Sequence, residues 1–315
     1  MKGVLYVYFS VLLPVISIFA VGFLAQKVFS FDVKQMSTLS IYCLYPFLAF
    51  LTFYENPLTN DAYYILIYCL VLCFVLLAMG LAFGWFRKLG RTKTTAVLAS
   101  SAFMNSGNYG VPLLLFTYGD AAATYAIFIM VIQSILMNTV GLFLTAYGSN
   151  EAKGSTKDVA VLALKKVAKM PILYAVILGW TVQITGWTLS NVVLQPISLI
   201  ADAAIPIVMI ALGMQLANIQ FRQLDWTIFS SGVTFRMIIS PLIVIILLST
   251  VDFGMDPLLV SVFMIVAGLP AAANMTMFAV QFQIEPNAVS AVTLVTTLLS
   301  IVTLPILFSI VPVTP

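Results

Sequence analysis

Long apolar runs alternate with short polar stretches along the whole chain. About 20 consecutive apolar residues suffice to cross a bilayer. Ten segments meet that condition, near 4–26, 36–54, 62–86, 94–118, 121–147, 168–186, 191–218, 226–250, 257–281 and 286–311. The pattern predicts an all-α polytopic membrane protein with ten transmembrane helices. The longest polar stretch, Gly148 to Lys169, is too short to fold as a separate soluble domain. The apolar run from Gly3 to Ala25 is longer than a signal-peptide core and lacks an evident small-residue cleavage site, so it reads as a retained first span.

Composition supports this reading. Of 315 residues, 62% are hydrophobic and 8% charged, whereas soluble domains carry roughly 25% charged residues. Mean hydropathy is +1.10. The basic residues set an orientation. Lys27, Lys34, Arg87, Lys88, Arg91, Lys93, Lys153, Lys157, Lys165, Lys166, Lys169 and Arg222 fall in loops on one side of a ten-span chain, and Lys2 alone on the other. Basic loops face the cytoplasm. A multi-pass cell-membrane protein with both termini extracytoplasmic is therefore expected. The +3 net charge reflects topology and gives no reason to invoke nucleic acid. Trp85, Trp187 and Trp226 fall near the predicted interfaces, as aromatic anchors do.

The two halves echo one another. Pro14 and Pro171 open the first helix of each, followed eight residues later by Gly22 and Gly179; Pro46 and Pro206 lie in the second helices, Pro112 and Pro270 in the fourth. Three prolines recurring in order at nearly constant separation indicate a repeat. Each half holds five spans, an odd number, so the second is inverted, an architecture common among secondary transporters. The predicted organisation is a first repeat over 1–148, a cytoplasmic connector over 149–167, and an inverted second repeat over 168–315.

Candidate chemistry sits where helices four and nine are interrupted. The first break reads Asn105-Ser-Gly107-Asn108-Tyr-Gly110-Val-Pro112, the second Gly268-Leu-Pro270-Ala-Ala-Ala-Asn274. Proline removes a backbone donor and clashes with the preceding turn. Glycine lets the backbone unwind and approach a ligand, and asparagine amides offer donors and acceptors without charge. Freed backbone groups at membrane depth are tolerated only in protein or against a cavity. Paired breaks in corresponding positions point to a transporter's substrate site. Half-helix N-termini facing that cavity favour anions. The competing explanation is packing glycines and interhelical asparagine bonds.

Two further charges lie inside predicted spans. Arg236, in span eight, is either a fixed positive charge that attracts an anion or replaces a coupling cation, or the partner of Asp202 in span seven; an intramembrane charge needs such a role. If protons are coupled, Asp202 is the available carboxylate. Cys43, Cys69 and Cys73 read as buried small hydrophobes, and Gly80-Leu-Ala-Phe-Gly84 as a helix-packing motif, with a dimer seam as the lesser option.

The stretches at 105–112 and 268–274 resemble the auxin efflux carrier family, in its bacterial, malonate/malate-permease-like branch, and the resemblance extends over the whole chain. It implies the fold of the bile acid–sodium symporters and sodium/proton antiporters. A scaffold of helices 1, 2, 6 and 7 then dimerises, and a transport domain of helices 3–5 and 8–10 carries the crossover. It also implies elevator-type alternating access, small organic anions as substrates, and Asn105, Asn108, Pro112 and Pro270 as crossover and substrate residues. Plant members have a long central loop where this chain has only residues 149–167, which argues against auxin itself.

The expected substrate-binding set is Asn105, Gly107, Asn108, Gly110, Pro112, Gly268, Pro270, Asn274 and Arg236. No cofactor or metal is expected. With no histidine, a Ser-His protease or histidine-ligated metal site is excluded, and Asp202 alone cannot form an aspartyl dyad, so no enzyme is expected. A sensor would carry an output domain, and a channel has no need of an inverted crossover. No carboxylate flanks either break, which disfavours sodium coupling; the alternative is a sodium-coupled symporter of larger amphipathic organic acids.

Overall fold

The computed structural model describes residues 11–57, 60–149, 156–219, 224–250 and 254–311. Residues 4–10 of the first predicted span lie outside them, as do Lys2, Lys153, Arg222 and the side chain of Lys157. The described residues form sixteen α-helices and no named strand. Six helical stretches are long and apolar enough to cross a membrane, and three shorter apolar helices accompany them.

In chain order, α1 is Leu13–Phe29, α2 Val33–Leu39, α3 Tyr45–Glu55, α4 Asn60–Phe86, α5 Arg91–Ser101 and α6 Val111–Tyr118. They are followed by α7 Asp120–Leu136, α8 Leu142–Gly148, α9 Thr156–Ala168, α10 Pro171–Thr185 and α11 Asn191–Ala217. The last five are α12 Trp226–Thr234, α13 Ser240–Thr250, α14 Pro257–Ala267, α15 Ala273–Gln281 and α16 Pro286–Ile310. The predicted spans at 94–118 and 257–281 are thus each two short helices, α5 with α6 and α14 with α15. The connector over 149–167 contains most of α9, an amphipathic helix ending at Ala168.

Local chemistry explains most boundaries. Asp32, Asp225 and Asp256 cap α2, α12 and α14, each carboxylate accepting first-turn amides at 2.8–3.2 Å; such caps satisfy otherwise orphaned donors. Three π-helical turns, Ser40–Leu44, Ser106–Gly110 and Phe235–Ile239, each end two residues before a proline: Pro46, Pro112 and Pro241. Proline clashes with the carbonyl four residues back and donates nothing, so the turn that would contain the clash widens instead. A fourth π turn, Met137–Gly141, joins α7 to α8 without a proline.

Helices α1, α3, α10 and α11 pack against one another. Gly22 of α1 admits α11 so closely that a Cβ there would lie 2.0 Å from the Ile210 carbonyl oxygen, and Gly213 admits Phe19 equally closely. Gly179 of α10 meets the Phe50 carbonyl oxygen of α3 in the same way, at 2.5 Å. Phe50 and Ile210 each lie four residues beyond Pro46 and Pro206. The glycine of each half therefore rests on the matching backbone position of the other half.

The remaining helices form a second group. Helix α5 packs on α4, α8 and α12, and α16 packs on α12 and α15. Gly80 and Gly84 face Leu98 and Thr94 of α5, so that motif packs two helices of one chain rather than a dimer seam. Cys69 and Cys73 are buried as expected, but Cys43 is exposed within the first π turn. Trp85, Trp187 and Trp226 are all exposed.

Candidate functional site

The two interruptions meet. After α5 ends, residues 102–105 are non-helical; after α14 ends, residues 268–272 are non-helical too. Met104 and Ala271 form an antiparallel bridge, with Asn105 N donating to Pro270 O at 2.9 Å and Ala272 N to Phe103 O at 3.0 Å. Each break thus satisfies backbone groups of the other, as hydrocarbon depth requires. Thr296 of α16 accepts from Ala271 N at 3.1 Å. Four short helices, α5, α6, α14 and α15, radiate from this point.

The two proline motifs occupy different places in it. Pro270 lies in the non-helical segment, whereas Gly110-Val111-Pro112 runs from the last residue of the Ser106–Gly110 π turn into the start of α6. Pairing Pro112 with Pro270 as structural equivalents is therefore incorrect. The two helices that lead into the breaks are each 11 residues long and end at Ser101 and Ala267.

The candidate residues separate into roles. Asn105 is buried, with its Nδ2 unpartnered among the described residues. Asn108 accepts a hydrogen bond at Oδ1 from the Tyr45 hydroxyl at 2.5 Å. Gly107 makes room for that hydroxyl, since a Cβ there would approach it to 2.8 Å. Gly110 lies against Leu269 of the opposite break, and Gly268 against Leu307. Pro112 and Pro270 are buried, and Asn274, in the first turn of α15, is half-buried.

Arg236 is fully buried, at 0% exposure, inside the Phe235–Ile239 π turn. Its Nη1 donates to Ser101 O at 3.2 Å, and its Nη2 to Ala267 O at 2.6 Å and Ser240 Oγ at 2.5 Å. Ser240 Oγ donates in turn to Ala267 O at 2.7 Å. The ion pair of Arg236 with Asp202 is not formed. Among the described residues the one salt bridge is Lys93 to Asp225, at 2.6 Å. Arg236 reaches the ends of α5 and α14 instead, because the π turn that carries it packs against α5 and α16.

Two cavities of about 410 Å³ flank the junction at opposite ends of the molecule. One is lined by α15 (Ala273, Thr276, Met277), by Thr293 of α16, and by Lys34 and Gln215. The other is lined by Leu115 and Phe116 of α6 and by three carboxylates, Glu55, Asp120 and Asp202. Each cavity thus touches the second short helix of one break. One end is basic and rich in amides and hydroxyls, the other acidic. Beside α15, Lys166 of α9 places its Nζ 4.2 Å from the centre of the Phe278 ring, and burial holds its pKa below the ordinary lysine value.

Sequence reading missed Tyr45, Tyr109, Ser240 and the hydroxyl row of α16. Tyr109 and Ser300 hydroxyls are 2.7 Å apart. Thr293, Thr296 and Ser300 recur at helical spacing on one face, a signal present in the chain but buried among other polar positions of span ten.

Comparison with known proteins identifies the family. The family model described as "Membrane transport protein" matches residues 7–308. An "Uncharacterized transporter" of Methanothermobacter thermautotrophicus is 27% identical over 281 residues, which is 87% of this chain and 88% of that protein. A "Putative malonate transporter" of Rhizobium meliloti is 27% identical over 207 residues, 65% of this chain and 63% of that one. With the match spanning almost all of its length, the chain belongs to the membrane transport protein family, that of the auxin efflux carriers.

Proposed function

We propose that this protein is a secondary carrier of small organic anions, held at the junction of the two breaks and moved by elevator-type alternating access. The observation that carries the reading is the antiparallel pairing of Met104 with Ala271 between two equal cavities at opposite ends. A through-channel has no use for such a plug. A carrier needs one, with access from either side. The polar groups at hand are uncharged amides and hydroxyls, with the partial positive charge of helix N-termini, and these suit carboxylates.

In this reading the chain is a ten-span, 5+5 inverted repeat. The contacts of Gly22 with Ile210 and of Gly179 with Phe50 support it, because they are the same contact made reciprocally. Helices α1–α3, α10 and α11 form the scaffold, which dimerises, and the remaining spans form the moving part. The basic end faces the cytoplasm of a cell-membrane protein with both termini outside. Malonate and malate are the first substrates to test, malonate being named for the Rhizobium meliloti relative.

The test is counterflow of radiolabelled malate or malonate into proteoliposomes preloaded with the same unlabelled anion. Accumulation of label supports the carrier reading. Silence toward both anions, and toward a panel of other carboxylates, would overturn it.

A further inference from the structure

We propose that Arg236 is a resident counter-cation of the junction, so that this chain needs no cation from solution to hold its two breaks together. The inference rests on the carrier reading above and deepens it, by assigning how the protein is independent of coupling ions at that point.

The argument begins with the backbone. Helices α5 and α14 end at Ser101 and Ala267, and both ends converge on the same buried spot. A helix C-terminus carries roughly half an elementary negative charge on unsatisfied carbonyls. Two such ends facing each other in a low-dielectric interior repel, and their carbonyls require donors. One guanidinium supplies a full positive charge, roughly the sum of the two ends with opposite sign.

Arginine also fits the geometry. Its planar fork presents fixed donors that reach two carbonyls at once, which a lysine ammonium does as a point charge only. Here the fork spans the halves of the chain, Nη1 on Ser101 O and Nη2 on Ala267 O, with Ser240 bridging to the latter. No carboxylate contacts the guanidinium among the described residues, so its charge is not neutralised elsewhere. At 0% exposure it reaches neither cavity, and a cation drawn to these carbonyls would have to displace a tethered one. Arg236 is therefore a positioning residue, and the reading in which it attracts the substrate directly is set aside.

Purified wild type, R236A and R236K provide the test, melted in sodium, potassium or choline chloride at equal ionic strength. Guanidinium chloride, far below denaturing concentrations, is then added against a choline control. Wild type should melt at one temperature in all three salts. R236A should melt several degrees lower and recover in part with guanidinium but not choline, with R236K between. In proteoliposomes, wild-type counterflow should run equally in sodium and choline, and R236A should lose at least tenfold. Sodium-dependent melting of wild type would overturn the proposal, as would an R236A protein that melts like wild type or that no cation stabilises. Should R236A resist purification, salt-indifferent melting of wild type and R236K supports the proposal and sodium dependence in either overturns it. A protein with no counterflow but these melting patterns would contradict the carrier reading alone.

Discussion

The Tyr45 hydroxyl donates to Asn108 Oδ1 at 2.5 Å, and this bond joins the helix group of α1, α3, α10 and α11 to the segment just beyond the first break. Tyr45 begins α3, immediately after a π turn, and Asn108 lies within another. Each π turn precedes a proline. The contact is thus a product of two local distortions that bring a phenol and an amide into register, with Gly107 leaving space between them.

If the junction holds the substrate, Asn108→Ala should reduce counterflow at least tenfold while leaving the size-exclusion profile unchanged. Tyr45→Phe removes a single hydrogen bond, about 1 kcal/mol, and should shift the balance between states by about fivefold, seen as a change in KM and kcat together. Wild-type kinetics in both variants would remove the junction from consideration as the site.

The reciprocal glycine contacts predict paired stability effects. Gly22→Ala and Gly179→Ala each insert a Cβ within 2.0–2.5 Å of a backbone carbonyl oxygen, and overpacking of this kind costs roughly 1–3 kcal/mol. Both variants should melt several degrees lower than wild type. Gly90→Ser is the control: no atom lies within 4 Å of a Cβ at Gly90, and serine is a good N-cap there. A tolerant Gly22 and Gly179 would mean that the helices are not packed this closely.

The Lys93–Asp225 pair predicts a pH window at the basic end. Hydrogen bonding to Lys93 holds the Asp225 carboxyl below its usual range, and the same bond raises Lys93. A depressed carboxylate contributes stability above its unfolded pKa, about 3.9, which is lost as pH falls through its folded value. A raised lysine contributes below about 10.4 and loses it as pH rises through its folded value. The pair is therefore intact between these limits, and solvent screening keeps its contribution small. Asp225→Asn keeps the cap of α12 and removes only the charge, so its small melting deficit at pH 7 should shrink as pH drops below about 4 and vanish once pH is below the folded value of Asp225. Asp225→Ala also loses the cap and should stay destabilised at low pH. Identical behaviour of the two variants would contradict this division.

Lys34 lines the cavity at the basic end, so Lys34→Glu reverses the local field met by an entering anion. Uptake rates should fall several-fold at low salt and recover toward wild type at about 0.5 M, where screening shortens the reach of surface charge. A salt-independent deficit, or none, would place the anion's path elsewhere.

The apolar pattern alone determined that the chain is an all-α membrane protein, because a bilayer imposes a length and a composition on whatever crosses it. It located both breaks for the same reason, since glycine, asparagine and proline at membrane depth have few alternatives to an interruption. The proline spacing singled out Gly22 and Gly179, which do make close backbone contacts, but Pro112 and Pro270 hold different places at the breaks. Pro112 acts through the π turn before it, whereas Pro270 lies in the non-helical segment, and linear spacing does not reveal how many residues a widened turn absorbs. Only the tertiary structure decided the partners of the polar groups. Arg236 and Asp202 lie in consecutive predicted spans, and a buried charge in sequence suggests a countercharge. In the folded chain the arginine meets two helix ends instead, carbonyls whose negative potential exists only once α5 and α14 have ended at the same point.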